Sequence, residues 1–103
     1  RCYTNGRDIA RGIRMALEAT SAENEDFNIS TATSTTVLEL AQLVWSMLRP
    51  DDEFRYVSDE PYQYDVQRRI PDTSKAKKML GFEAEIGLEE SVREVVDYMV
   101  TRL

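Results

Sequence analysis

Thr36-Val37-Leu38-Glu39-Leu40-Ala41-Gln42-Leu43-Val44-Trp45-Ser46-Met47-Leu48-Arg49-Pro50 carries its own start and stop signals. Thr36 and Glu39 stand three apart, the S/T-x-x-E spacing of a capping box. In that motif each side chain satisfies a backbone N–H that the first helical turn leaves open. Val37, Leu40, Ala41, Val44 and Leu48 then recur at helical spacing, and Leu38 and Trp45 widen the stripe. Glu39, Gln42, Ser46 and Arg49 take the outer face. Pro50 and the Asp51-Asp52 pair end the helix. Trp45 and Met47 read as core residues rather than as cofactor contacts.

Upstream of this helix, Ser30–Thr35 is a run of small and hydroxyl residues, and so a turn or loop. Phe27-Asn28-Ile29 before it reads as a short strand. A polar, acidic loop over Ser21–Asp26 separates that strand from an amphipathic helix running roughly from Asp8 to Ala19. Ile9, Ile13, Ala16 and Leu17 share one face of that helix; Arg7, Arg11, Arg14 and Glu18 share the other. Asp8 suits the N-cap or first turn, where a carboxylate favours the positive end of the helix dipole.

Downstream, Phe54–Val57 is β-rich and alternating, a second strand. The loop Ser58–Asp65 is polar yet carries Tyr62 and Tyr64, which either cover the adjacent core or serve a site. Val66–Ile70, closed by Pro71, reads as a short edge strand. Asp72 caps a short helix over Thr73–Leu80, and Gly81 ends it. A final helix runs from about Leu88 to Thr101, with Leu88, Val92, Val95, Val96, Met99 and Leu103 as its apolar stripe. Glu89 and Glu90 sit in its first turn. The predicted fold class is α/β, a mixed α+β unit of four helices with two or three short strands, forming one domain over residues 1–103. So few short strands cannot cover the apolar faces of four helices. Part of that surface is expected to bury against something else.

Composition narrows the function classes. The 103 residues are 42% hydrophobic and 31% charged, a balance that argues against disorder. Net charge is -6, from 13 basic and 19 acidic residues. Such a domain is a poor nucleic-acid binder, because duplex binding is driven by phosphate neutralisation. No apolar run approaches the ~18 residues a bilayer span needs, and no signal peptide opens the chain. Cys2 is alone, so no intrachain disulfide forms, which fits a cytoplasmic protein. With no histidine, Ser-His-Asp and Cys-His catalysis and Cys/His zinc sites are excluded within this chain. Arg68, Arg69, Lys75, Lys77 and Lys78 form a local basic cluster, either a solvated face or an anion site. The chain begins at Arg1 rather than Met and enters a helical pattern at once, so it reads as a piece of a longer protein.

Four segments resemble the extended short-chain dehydrogenases/reductases, the group containing UDP-galactose 4-epimerases and sugar-nucleotide 4,6-dehydratases. Arg1-Cys2-Tyr3-Thr4 through Asp8-Ile9-Ala10 is similar to that family's R-x-(Y/F)-x(4)-D-(V/I)-A stretch. Phe27-Asn28-Ile29 with its small-residue turn resembles F-N-I-G-x-G. Thr36-Val37-Leu38-Glu39-Leu40 resembles S-V-x-E-L. Asp72-Thr73-Ser74-Lys75-Ala76 through Leu80-Gly81-Phe82 resembles D-x-S-K-A…L-G-(W/F), and Leu88-Glu89-Glu90-Ser91 continues it as L-E-E-G. Order and spacing agree along essentially the whole chain.

The resemblance implies the C-terminal substrate-binding lobe of an extended Rossmann-type dehydrogenase. The parent would be an NAD-dependent nucleotide-sugar epimerase, with a 4,6-dehydratase, or a non-catalytic interaction module on this fold, as alternatives. The family's Gly-rich dinucleotide loop and Y-x-x-x-K pair are absent from these residues, since both lie upstream in the family. The chain is therefore expected to hold no catalytic residue, no metal and no NAD of its own. Its implied partners are a nucleotide-diphosphate sugar, the cofactor lobe, and a second copy in a homodimer or swapped oligomer, with no nucleic acid and no membrane. Arg1 falls where an arginine contacts the substrate diphosphate, and Asp65 where a carboxylate contacts the ribose. Asp65 also reads as a turn former. The family's second arginine, three residues before that acid, is Tyr62 here. Either Arg68 or Arg69 substitutes for it, or Tyr62 marks a different grip. Gly6 departs as well, from a usual apolar residue. Asp8 and Asp72 read as helix caps rather than ligands, and Lys75 as a solvated helix residue.

Overall fold

The computed structural model describes residues 1–103 and contains four α-helices and one 3-10 turn. They are α1 (Gly6–Glu18), the 3-10 turn (Thr20–Ala22), α2 (Val37–Leu48), α3 (Ser74–Leu80) and α4 (Leu88–Arg102).

Three of the four helices begin where a side chain bonds a main-chain N–H of the first turn. α2 shows both halves of the capping box: Glu39 N–H donates to Thr36 Oγ1 at 3.0 Å, and Thr36 N–H donates to Glu39 Oε1 at 3.2 Å. α1 starts earlier than the apolar periodicity implies. Asn5, not Asp8, is its cap, accepting from Arg7 N–H at 2.9 Å. The Asn5 amide also donates to Ser91 Oγ at 3.1 Å, joining the start of α1 to the first turn of α4. Asp72 Oδ1 accepts from Ser74 N–H at 2.9 Å and holds the start of α3. Gly81 ends α3 with φ 71°, a left-handed value that an L side chain resists. Phe82 N–H then reaches back to Ala76 O at 3.2 Å, and the turn drops the Phe82 ring into the interior.

The core is small. Ala22, Ala76, Phe82 and Val92 are its buried apolar residues. α1 comes close to it because Gly12 has no side chain: a Cβ there would stand 2.5 Å from Ile29 Cγ2 and 3.1 Å from Phe82 Cε2. Asp8, in the first turn of α1, is buried to 1% exposure. Its carboxylate accepts from Glu85 N–H at 3.2 Å, from Ile86 N–H at 3.0 Å and from the Arg11 guanidinium at 3.2 Å. Burial pushes the Asp8 carboxyl up. The Ile86 and Glu85 amides and Arg11 outweigh that and hold it below its ordinary value.

α2 and α4 pack on each other with little covering them: Val37, Leu48, Val95 and Met99 are all exposed. Trp45 is half-buried, its Nε1 donating to Asp52 O at 3.0 Å and its ring edge-on to Phe54. The Cα radius of gyration is 16.9 Å, against about 13 Å for a closed domain of this length, so the unit is open.

The mixed α+β expectation is overturned, because no strand forms at Phe27–Ile29, Phe54–Val57 or Val66–Ile70. The physical reason is pairing. None of those residues makes a backbone–backbone hydrogen bond. Arg1 and Thr35 exchange two main-chain bonds, Thr35 N–H to Arg1 O at 2.8 Å and the Arg1 amino group to Thr35 O at 3.1 Å, but no second rung follows. β-Propensity measures fit to a pleated neighbour, and no neighbour is supplied here.

Two changes test this packing. Gly12→Ala should destabilise the fold by about 1–2 kcal/mol, overpacking exceeding the gain in helix propensity. The penalty should shrink in an Ile29→Ala background, which removes the clashing methyl. Urea denaturation of the four proteins measures that coupling. Asp8→Asn should cost about 2–3 kcal/mol near neutral pH. Because the folded Asp8 pKa is lowered, its stabilisation is complete above the ordinary value of 3.8 and disappears as pH falls through the folded value. The gap between wild type and variant should therefore narrow from pH 6 to pH 3.

Candidate functional site

The paired main chains of Arg1 and Thr35 set Arg1 beside the start of α2. Arg1 and residues 34–37 make one wall of a cleft of about 470 Å³, and residues 65–68 make the other. The cleft thus joins Arg1, Asp65 and Arg68, three of the four residues singled out from the sequence. Tyr62 lies outside it, 87% exposed. Arg69 does not line it either.

Charge and hydrogen bonding suit an anionic, hydroxyl-bearing ligand. Arg1 Nη1 is buried and has no hydrogen-bond partner. A buried donor left unpaired costs about 1–3 kcal/mol, so an acceptor in the cleft would recover that loss. Ser34, Thr35 and Thr36 add hydroxyls, and α2 presents its N-terminal end. Asp65 is both turn former and cleft residue. Its N–H donates to Tyr62 O at 3.1 Å, closing a turn in which Tyr64 has φ 68°.

Two members of the basic cluster, Lys75 and Lys77, are occupied elsewhere. Lys75 pairs with Glu25 at 2.8 Å and Asp26 at 3.0 Å, beneath the Phe27 ring. Those side-chain bonds raise the Lys75 pKa and, reciprocally, lower that of Asp26. Lys77 reaches Glu83 at 3.5 Å. Arg68 is therefore separated in role from the lysines that follow it.

Sequence reasoning overlooked the hydroxyl row, taking Ser34 and Thr35 as loop and Thr36 only as a cap. The signal was present. A capped helix preceded by hydroxyl residues places donors and a positive dipole end together. A second hollow, of about 410 Å³ between α2 and α4, is lined by nine hydrophobic residues and Ser91. It has nothing to orient a charged substrate and reads as uncovered packing surface.

No protein-family model matches the chain. UDP-glucuronic acid decarboxylase 1 of Danio rerio is 34% identical over 103 residues, covering 100% of this chain and 24% of that protein. A crystal structure of the UDP-glucose 4-epimerase of Thermotoga maritima, with UDP-glucose, superposes with a TM-score of 0.84. It is 35% identical and covers 99% of this chain and 32% of that one. Over nearly its whole length the chain is similar to nucleotide-sugar enzymes of the extended short-chain dehydrogenase/reductase family. The Bordetella bronchiseptica enzyme WbmF, solved with NADH, is 20% identical at a TM-score of 0.71 and shares the fold. The chain spans about a quarter of the length of the curated relatives it matches. No helix in it is long and apolar enough to cross a membrane.

Proposed function

We propose that the chain grips a nucleotide-diphosphate sugar on behalf of a longer NAD-dependent enzyme, an epimerase by preference over a dehydratase. The observation that carries this reading is the cleft in which Arg1, with a buried and unpartnered Nη1, faces Asp65 and Arg68. Arg1 bonds the diphosphate, its planar fork suiting two oxygens. Asp65 accepts from the ribose hydroxyls. Arg68 supplies the second positive charge that Tyr62 does not. Holding the nucleotide positions the sugar, which is the contribution this portion makes to the rate.

The residues present do not fit a dinucleotide. Gly6 and Gly12 lie within α1, Gly81 ends α3 and Gly87 caps α4, so none forms a phosphate-cradling loop between strand and helix. In this reading, NAD and the catalytic base are held by the remainder of the longer enzyme. The lone Cys2 fits a cytoplasmic setting.

Isothermal titration with UDP-, dTDP- and GDP-sugars tests the reading. One of the three should bind, and Arg1→Gln or Asp65→Asn should weaken it by about tenfold or more. Absence of binding to all three would sink it. The uncovered apolar faces of α1 and of the α2–α4 pair are proposed to bury against the cofactor lobe or, in these 103 residues alone, against another copy. Sedimentation should accordingly show concentration-dependent association; a monomer throughout would count against that part.

A further inference from the structure

The two walls of the cleft are built in opposite ways. The wall of Arg1 and residues 34–37 is fixed by the double Arg1–Thr35 main-chain pairing and by the capping box of α2. The opposite wall belongs to a strap running from Glu53 to Pro71. Along those residues one hydrogen bond forms, Asp65 N–H to Tyr62 O, and no ion pair. Every residue from 55 to 70 is exposed. The strap is tied only near its ends. Phe54 stacks on Tyr56 and meets Trp45, and Asn28 Nδ2 donates to Asp72 O at 3.1 Å just beyond the other end. Tyr64, with φ 68°, holds a backbone conformation where glycine or asparagine is usual.

A segment with so few buried contacts opens at small free-energy cost. Yet it carries Asp65 and Arg68, which must approach Arg1 for the cleft to hold a ligand. We infer that the strap over residues 57–70 is a ligand-ordered clamp, closing on a nucleoside diphosphate by bringing Asp65 and Arg68 against the fixed Arg1 wall. This rests on the nucleotide-sugar reading of the same cleft. Phosphate oxygens between Arg1 and Arg68 supply the differential contact that favours the closed form, as any ligand-driven shift requires. The cost of ordering reduces affinity by the closed fraction.

Amide hydrogen exchange with and without uridine diphosphate tests the clamp, with calorimetry run in parallel on the same protein. Without ligand, amides of residues 57–70 should exchange far faster than those of α2. Saturating uridine diphosphate should slow them by about tenfold or more, while α2 changes little. Arg68→Gln, a change at an exposed position, should reduce the slowing and leave the exchange of the unliganded strap as in wild type. Binding without slowing of the strap would overturn the clamp and leave the nucleotide reading intact. Slow exchange of the strap before ligand is added would do the same. Failure of uridine diphosphate to bind at all would overturn both.

Discussion

Asp8 is the residue on which the arrangement of the helices turns. Its carboxylate is buried, and a buried charge is tolerated only when bonded on several sides. Here it takes the amides of Glu85 and Ile86 and the guanidinium of Arg11 at once. One side chain from the first turn of α1 thereby fixes the segment that leads into α4. Neighbouring contacts reinforce that junction: Asn5 to Ser91, Arg7 to Glu94, and Arg11 over the Phe82 ring at 4.9 Å. Arg1 enters α1 from one side and pairs with Thr35 ahead of α2 on the other. The position of the cleft wall thus follows from the same polar junction that replaces a large core.

That replacement explains how a chain with 8 of 103 residues buried keeps a definite shape. Four apolar residues and one glycine contact form the interior. Directional bonds at caps and at Asp8 do the rest. α2 and α4 instead leave most of their apolar stripe in solvent, with Val95 62% and Leu103 101% exposed. Such stripes have the periodicity of faces meant to be covered.

Helices were legible in the sequence because their determinants are local. Thr36 and Glu39 mark α2 within four residues, and Gly81 marks the end of α3 by its own backbone freedom. Sheet content was not legible for the opposite reason. Phe54–Val57 and Val66–Ile70 have strand composition, but a strand exists only through a partner, and composition does not say whether one is present. Asp8 shows the same limit in polar form. Nothing nearby in sequence distinguishes a carboxylate that caps its own helix from one that captures amides 77 and 78 residues away. Resemblance did bring Arg1, Asp65 and Arg68 forward, and the cleft joins them. It also brought forward Tyr62, which does not line the cleft although its carbonyl accepts from Asp65 N–H.

The contrast between the walls bears on how a lobe of this kind contributes to turnover. If both walls were fixed, the cleft would need to be open enough for a nucleotide to enter and closed enough to hold it. One geometry cannot serve both well. Dividing the contacts removes the conflict. Arg1 remains in place with its donor already desolvated, so little reorganisation precedes first contact. Asp65 and Arg68 lie on a strap tied only near its ends, so in the proposed clamp they would adapt to a ligand held by Arg1. In that clamp, ordering would lower affinity and make release correspondingly easier.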